Sequence, residues 1–316
     1  MTIGIAAFGP QAGRAILEGL AAAERAGHGA IGGFLSVAVL AADGSLRRAE
    51  TQTDGTCGLG NLPEDMRAAP VAALMSSAPN RPEPLAQFVA GASGVGLVTG
   101  HRFPNMPGWS GVPLNRDILN RMAAGISPAA AVAAALAENE DVDAGVIAID
   151  PEGRLGSADT HRLERLADRG SARLGSRRGG ALVAVRHNGI RPSRGLAWLV
   201  ADMALTVLHG ESVPDRSVEL RAGVPVVAAA SDQIMVDGRV RVTRLEVSGG
   251  LGAGTRHIGM GGSVPVFDGP TCLGFTTYEP FLVVRDGMLI SADGKLAIRV
   301  PVRHASSCTN APPVRA

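Results

Sequence analysis

Two segments of the chain carry the same hairpin pattern, and this repeat restricts the fold more than any other feature of the sequence. Residues 37–51 (VAVLAADGSLRRAET) align without gaps to residues 146–160 (VIAIDPEGRLGSADT). In each segment an apolar run leads to a turn in which an acidic residue precedes Gly, a strong signal for a hairpin. The shared pattern indicates either a duplicated β-α-β-β unit or two unrelated hairpins with similar turns. A shorter match at 286–293 (DGMLISAD) has the same two explanations.

Apolar periodicity predicts alternating strands and helices up to about residue 212, and Val-rich runs with Asp-Gly turns beyond it. Strands are predicted over 3–8, 95–99, 144–150, 155–160 and 181–187, and helices over 11–26, 63–75, 114–124, 127–139, 161–169 and 195–209. The prediction is therefore an α/β fold, a layered sandwich of mixed β-sheet and helices with duplicated β-α-β-β units. This domain, 1–212, carries the candidate site, and a β-rich domain, 213–316, follows a boundary near Glu211 to Asp215.

The overall composition excludes several classes of function. The 316 residues include 30 basic and 29 acidic ones, for a net charge of +1, and aromatic residues make up only 3%. Neither nucleic-acid binding nor membrane binding is therefore expected. No apolar run reaches the length of about 18 residues that a membrane helix needs. The first residues lack the features of a signal peptide, so a cytoplasmic protein is expected.

Cysteine, histidine and lysine usage narrows the chemistry further. The three cysteines are widely spaced, and no histidines stand at i,i+4 around a glutamate, so neither a disulfide framework nor a metal site is expected. Lys295 is the only lysine, so a mechanism with a lysine base would have to use it. The turn at 9–13 lacks GxGxxG spacing, and no cofactor is expected.

Polar side chains form three clusters at the ends of predicted strands, where functional residues are common. The clusters contain Thr99, His101, Arg102 and Asn105; Asp159, Thr160, His161 and Arg162; and Arg186, His187, Asn188 and Arg191. If these strand ends share one edge, the clusters converge on a cationic pocket suited to a carboxylate or an amide oxyanion. The alternative is that each arginine caps a helix or pairs with a surface carboxylate.

These residue types predict a site for acyl transfer. The predicted catalytic residues are Thr99, His101, His161 and His187, and the predicted substrate-binding residues are Arg102, Asn105, Arg162, Asn188 and Arg191. Thr99 would be the nucleophile or its helper, and His101 or His187 the general base. Arg102 and Arg162 would hold a substrate carboxylate, and Asn105 or Asn188 would donate a hydrogen bond to the oxyanion.

Two stretches resemble segments of N-terminal-nucleophile hydrolases of the asparaginase type. They are residues 127–160, where an Ala-rich helix leads to the strand GVIAID and a Gly turn, and residues 39–55 (VLAADGSLRRAETQTDG). The resemblance covers about a sixth of the chain. The chain also resembles a bacterial family without an assigned function, through GLVTGHRFPN and VRHNGIRP.

The hydrolase resemblance implies an αββα sandwich and amide hydrolysis by an N-terminal Thr, Ser or Cys whose α-amino group is the base. In that family the nucleophile starts a strand that continues into a hairpin. Thr99 instead ends its predicted strand. Thr2 starts one, and removal of Met1 would expose it, but a predicted helix follows. Internal cleavage before Thr99 is not expected, and the choice of nucleophile stays open.

The sequence thus predicts a hydrolase that cleaves the amide (C–N) bond of a small, anionic, linear or cyclic substrate. One alternative is a non-catalytic small-molecule-binding or structural oligomer. Another is a ring-opening amidohydrolase of the cyanuric-acid and barbiturate type, which is built of three repeats and uses Ser-Lys pairs. The expected partner is a small-molecule substrate, and homo-oligomerisation stays open.

Overall fold

The chain divides into two compact units, residues 1–211 and 212–316. A computed structural model describes residues 2–176, 180–193, 195–210, 214, 216–260, 264–277 and 279–304. The division lies in the segment 211–215, where the sequence places a domain boundary, and residue 214 is the part of that segment that the structure describes. Each unit has its own strands and its own sheets.

The first unit mixes helices and strands. Its strands are β1 (Thr2–Phe8), β2 (Leu35–Leu40), β3 (Leu46–Thr51), β4 (Val71–Ser77), β5 (Ala90–Ala92), β6 (Gly96–Arg102), β7 (Ala144–Ile149), β8 (Leu155–Asp159), β9 (Arg169–Gly175) and β10 (Leu182–Asn188). Its helices are α1 (Ala12–Ala26), α2 (Gly55–Leu59), α3 (Glu64–Arg67), α4 (Leu114–Ala123), α5 (Pro128–Ala137), α6 (His161–Glu164) and α7 (Leu196–Leu208), with one 3-10 turn at Leu85–Phe88. The predicted α/β character is confirmed at this level.

The strands of the first unit form two sheets whose pairings are all antiparallel, so the predicted mixture of parallel and antiparallel strands is wrong here. The six-stranded sheet has the order β3-β2-β4-β1-β10-β9, and the four-stranded sheet has the order β5-β6-β7-β8. Helices α1 and α7 pack on each other and on β1, β4, β9 and β10, whereas α4 and α5 pack on the four-stranded sheet. The two sheets also contact each other, chiefly through β1 and β4 of one and β6 and β7 of the other.

An apolar core fills the space between the two sheets. It combines side chains of the six-stranded sheet, such as Ala6 and Met75, with Leu97 and Ile147 of the four-stranded sheet. The sheets approach closely at Gly4, because a Cβ atom there would overlap the carbonyl oxygen of Gly100. This approach brings the start of β1 beside the end of β6.

Three predicted elements of the first unit are wrong in type or length. The helix predicted over 63–75 is only α3, and β4 follows it. The run from Val71 to Ser77 is buried at every position, so it has neither the helical nor the alternating period. The strand predicted over 95–99 continues to Arg102, which places His101 in the sheet and not in a loop.

The helix predicted over 161–169 is limited to α6, and residue 169 already belongs to β9. Strand β9 has the polar sequence RGSARLG, which lacks the apolar alternation of a typical strand, and it lies at the edge of its sheet. By contrast, Ser127 caps α5 as predicted, because its hydroxyl accepts a hydrogen bond from the Ala130 N–H at 3.4 Å.

The described part of the second unit consists of strands without an α-helix, so its predicted β-rich character is confirmed. A seven-stranded sheet has the order β11-β20-β17-β16-β13-β14-β12, and a three-stranded sheet the order β15-β18-β19, with bounds β11 (Arg216–Arg221), β12 (Val226–Ala228), β13 (Gln233–Val236), β14 (Val242–Val247), β15 (Thr255–Gly259), β16 (Pro265–Asp268), β17 (Thr271–Thr276), β18 (Phe281–Arg285), β19 (Met288–Ala292) and β20 (Ala297–His304). Among the described residues of the whole chain, no helix has the length and apolar character needed to cross a membrane.

Candidate functional site

Polar side chains from both sheets of the first unit meet at one edge of the space between them. Strand register places His101, Gly145 and Asp159 side by side on β6, β7 and β8. In the facing sheet, Thr2 of β1 lies opposite Asn188 of β10. Hydrogen bonds and ion pairs join six side chains, called the inter-sheet cluster from here on: Thr2, His101, Asp159, Arg169, Arg186 and Asn188.

A histidine–carboxylate pair forms the centre of this cluster. His101 Nε2 lies 2.9 Å from Asp159 Oδ1, and both side chains are almost completely buried. The bond passes over Gly145, where a Cβ atom would overlap both His101 Nε2 and Asp159 Oδ1. On its other side, His101 Nδ1 lies 3.5 Å from Asn188 Oδ1. The carboxylate thus orients the imidazole toward Asn188 and Thr2.

Two arginines neutralise the buried carboxylate. Arg186 lies 2.7 Å from Asp159 Oδ1, and Arg169 lies 2.8 Å from Asp159 Oδ2. Burial alone would raise the pKa of Asp159, but the hydrogen bond from His101 and the charge of Arg186 outweigh burial and hold this pKa well below its usual range. Because the ionised carboxylate can only accept hydrogen bonds, His101 Nε2 carries the proton between them.

The hydroxyl of Thr2 belongs to the same cluster. Thr2 Oγ1 donates to Asn188 Oδ1 at 3.3 Å and accepts a hydrogen bond from the backbone N–H of Arg102. The residue is only 2% exposed. Because β1 pairs with β4 on its other side, Thr2 also lies directly opposite Ser77. The hydroxyl therefore sits at the start of a central strand with polar neighbours from three other strands.

His187 is adjacent to Asn188 in sequence but lies on the other face of β10, because successive strand residues point to opposite faces. Its imidazole is fully buried against Gly170, and neither ring nitrogen has a hydrogen-bond partner within the described part of the chain. Burial, and after it the neighbouring His101, lower the pKa of His187 to about 4, so the ring is neutral at pH 7. The structure does not bring His187 into the inter-sheet cluster.

The other residues predicted from the first sequence cluster have hydrogen-bond or ion-pair partners outside the inter-sheet cluster. Thr99 is fully buried, and its hydroxyl donates to the carbonyl oxygen of Leu74 at 2.7 Å. The Arg102 guanidinium pairs with Asp143, whose carboxylate raises the pKa of Arg102. The amide nitrogen of Asn105 donates to Gln87 Oε1 at 2.8 Å, and its buried oxygen Oδ1 has no described partner.

Three further predicted site residues are exposed. His161 lies on α6 beside Arg165, with 2.9 Å between His161 Nε2 and the guanidinium. Arg162 follows it, and its backbone N–H donates to the carbonyl of Glu140. Arg191 forms a backbone bridge with His28. None of these three side chains contacts the inter-sheet cluster in the described structure.

Sequence reasoning assigned roles to His101 and Asn188 but missed four members of the inter-sheet cluster. Asp159 and Arg186 were present in the predicted polar clusters without a role, Arg169 lies on the unpredicted strand β9, and Thr2 was an open candidate only. Two-residue alternation was a usable signal, because Arg186 and Asn188 share one face of β10. No group of three or more His, Cys, Asp or Glu side chains suited to a metal ion lies within the described residues.

Replacing Gly145 by Ala tests how closely the strand backbone supports the His101–Asp159 bond. A new methyl group overlaps both polar atoms, so we expect the free energy of unfolding to fall by about 1–3 kcal/mol, as for an overpacked core site. Urea unfolding measures this change. Gly249→Ala is the control, because a Cβ atom there has no neighbour within 4 Å. Equal midpoints for Gly145→Ala and the wild type would show that the pair tolerates displacement.

A family model described as a domain of unknown function (DUF6963) matches residues 2–217, well over half of the chain. The chain belongs to this family. The match includes every member of the inter-sheet cluster. A second model, also described as a domain of unknown function (DUF7259), matches residues 223–297 in the second unit. No curated protein matches the chain.

Proposed function

We propose that this protein hydrolyses the amide bond of a small anionic substrate, with Thr2 as the nucleophile. The observation that carries the proposal is the position of the Thr2 hydroxyl. It lies at the start of β1, faces the inter-sheet cluster, and receives a hydrogen bond from the backbone N–H of Arg102. Such a donor stabilises negative charge on the oxygen as its proton leaves.

The proposed reaction requires cleavage of the peptide bond before Thr2, which frees its α-amino group. That amino group takes the hydroxyl proton while Thr2 Oγ1 bonds to the substrate's carbonyl carbon. The C–N bond then breaks, and the proton passes from the ammonium group to the leaving amine. Water attacks the resulting ester, releases the carboxylic acid and restores the hydroxyl.

Other members of the inter-sheet cluster would position the reacting groups. Asn188 contacts both the Thr2 hydroxyl and His101, and its amide nitrogen is a donor for the oxyanion. Asp159 holds the imidazole of His101 by a hydrogen bond of 2.9 Å. Asp159 and His101 would therefore act through Asn188, as positioning residues.

Thr99 is the other threonine considered as nucleophile, and its geometry is less suitable. Its hydroxyl donates to the Leu74 carbonyl inside the apolar core. Thr99 also lies in the middle of β6, which begins at Gly96 and continues to Arg102. Thr99 would need internal cleavage within β6 to free an α-amino group. Thr2 needs cleavage only at the start of a strand, which favours Thr2.

The packing of the first unit supports the resemblance to N-terminal-nucleophile hydrolases. Helices cover the six-stranded sheet, that sheet contacts the four-stranded sheet, and further helices cover the latter, as in an αββα sandwich. The hairpins β2–β3 and β7–β8, which carry the repeated sequence pattern, lie in different sheets. We propose that the two sheets contain the duplicated units, with β4 inserted between β1 and β2 in one of them.

Chemical labelling tests the proposed nucleophile. We expect intact-mass measurement and peptide mapping to find chains that begin at Thr2, and 4-nitrophenyl acetate to acetylate Thr2. Lys295 is the only lysine, so labelling of other amines is easily mapped. Thr2→Val is the matched control: it keeps an α-amino group and should lose only the acetyl ester of the hydroxyl. Acetylation of Lys295 without acetylation of Thr2 would contradict the proposal.

A non-catalytic, structural protein is the second candidate function. It is favoured by the burial of the cluster, because Thr2 is 2% exposed and His101 is 0% exposed. A nucleophile must become accessible to its substrate, whereas a structural hydroxyl need not. The labelling experiment separates the two functions, since a protein of the second kind would give no acetyl ester on the Thr2 hydroxyl.

A further inference from the structure

A cavity lies at the edge of the six-stranded sheet, between β9 and the beginning of α7. Its volume is about 330 Å³, within the range of about 300–1,000 Å³ that is typical of small-molecule sites. Two stretches of the chain line it: Arg169, Gly170 and Ser171 of β9, and Ser193, Gly195, Ala197 and Trp198 before and within the first turn of α7. Of the inter-sheet cluster, only Arg169 is among these described lining residues.

The first turn of α7 brings backbone N–H groups to this cavity. The first N–H groups of an α-helix have no acceptor inside the helix, and the helix dipole places partial positive charge there. Helix α7 has 13 residues, and its N-cap is Gly195, which has no side chain that could accept hydrogen bonds from those N–H groups. Ala197 and Trp198 follow in the cavity wall. Phosphate groups bind at helix N-termini of this kind.

An imidazole without a partner faces the same cavity. His187 is 0% exposed, and neither of its ring nitrogens has a hydrogen-bond partner within the described residues. A Cβ atom on Gly170 would overlap His187 Nε2 and would lie 2.6 Å from the carbonyl oxygen of Ser193. Because Gly170 and Ser193 both line the cavity, Nε2 lies directly behind this part of its wall. A buried polar group without a partner costs free energy, which a ligand that pairs with Nε2 would restore.

The charges around the cavity favour an anion. Asp159 is shared by two arginines, one of which is Arg169, so it balances only one of their two positive charges. Arg169 brings the remaining positive charge to the cavity wall. Burial and the neighbouring His101 lower the pKa of His187 to about 4, and Asp168 raises it by less. The ring is therefore neutral at pH 7 and can donate one hydrogen bond to an anion.

We propose that this cavity binds the phosphate group of a small phosphate monoester. The phosphate accepts hydrogen bonds from the first turn of α7 and from His187 Nε2, and the chain at Ser193 moves aside enough for Nε2 to reach it. Trp198 lines the same cavity, is 55% exposed, and offers an aromatic surface to the organic group of the ester. His187 and Asn188 lie on opposite faces of β10, so this site is separate from the proposed nucleophile and does not depend on it.

Fluorescence of Trp198 tests whether a phosphate monoester enters this cavity. The chain has two tryptophans, and the other one, Trp109, is 94% exposed, so Trp109→Phe leaves Trp198 as the only tryptophan. In this variant we expect phenyl phosphate to change the emission saturably, inorganic phosphate to do so at higher concentration, and neutral phenol not to do so. Trp198→Phe keeps Trp109 and is the matched control, which should not respond. The inference is overturned if Trp109→Phe shows no saturable change, or if it responds equally to phenol.

Calorimetric titration of the full chain with phenyl phosphate tests the role of His187. His187→Phe removes both ring nitrogens, and we expect it to weaken binding by about tenfold to a hundredfold, the effect of losing one hydrogen bond to a charged group. His209→Phe is the matched control, because this exposed histidine lies at the opposite end of α7 and should not affect binding. Circular dichroism of each variant confirms that it folds. Equal affinity of His187→Phe and the wild type would overturn the inference.

Nuclear magnetic resonance of the wild type, with histidine labelled by ¹⁵N, covers the case in which His187→Phe does not fold. We expect phenyl phosphate to shift the Nε2 signal of His187 and to leave that of His209 unchanged. An unchanged His187 signal at saturation would overturn the inference. Thr2→Ala should bind phenyl phosphate as tightly as the wild type does. Loss of binding in Thr2→Ala would place the phosphate at the inter-sheet cluster and overturn the separate site.

Discussion

Asp159→Asn is expected to lower the free energy of unfolding by about 3–5 kcal/mol, as when one partner is removed from a buried ion pair. The substitution leaves Arg186 and Arg169 without their shared counter-charge and weakens the acceptor of His101. We expect a value near the lower end, since the Arg169 side chain is 31% exposed and water screens part of its charge. Urea unfolding measures the difference.

Asp117→Asn is the control, because Asp117 pairs with Arg121 on the surface of α4, where such pairs contribute about 0–1 kcal/mol. Equal losses for the two variants would show that the inter-sheet cluster contributes no more than a surface pair. A loss below about 1 kcal/mol for Asp159→Asn would contradict the assignment of Asp159 as the charge that balances two arginines.

The stability difference between the wild type and Asp159→Asn should depend on pH in a defined direction. The folded-state pKa of Asp159 is depressed, so the stabilisation is complete above the unfolded-state pKa of about 3.9 and is lost as pH falls toward the folded value. His187 also destabilises both proteins as pH falls from about 6.5 to about 4, because its folded-state pKa is lowered to about 4. Subtracting one protein from the other removes that contribution.

Short-range signals in the sequence predict the hairpins well. In both β2–β3 and β7–β8 a Gly follows an acidic residue, and Gly44 and Gly153 each have φ of 78°, a conformation that glycine adopts without strain. These turns depend on neighbouring residues alone. Strand β4 shows the limit of such signals, because its burial at every position comes from two sheet neighbours and a second sheet.

The candidate site depends on pairings that local patterns do not contain. His101 and Asp159 are 58 residues apart in the chain, and only the register of β6, β7 and β8 brings them together over Gly145. Composition at strand ends was enough to select His101 and Asn188. It did not distinguish Asn188 from His187. Strand β10 continues to residue 188, so these two side chains lie on opposite faces of the sheet.

Thr2→Ala is expected to lower kcat for amide hydrolysis by about 10⁴-fold to 10⁶-fold, the effect of removing an enzyme's nucleophile. Thr2→Ser should keep part of the activity, because it retains a hydroxyl at the start of β1. Both variants should fold, as the lost contacts of Thr2 amount to about 1 kcal/mol each. Release of 4-nitroaniline from the mono-4-nitroanilide of succinic acid, a small anionic amide, measures kcat.

Thr99→Val provides the opposite result and so decides between the two threonines. Its hydroxyl donates to a buried carbonyl of β4, so we expect a loss of about 1–3 kcal/mol in the free energy of unfolding, with kcat within a few-fold of the wild type. If Thr99→Val abolishes hydrolysis while Thr2→Ala retains it, the nucleophile is Thr99, and the chain must then be cleaved within β6. If the active protein is not cleaved before Thr99, that route is excluded, because the nitrogen of Thr99 remains in a peptide bond.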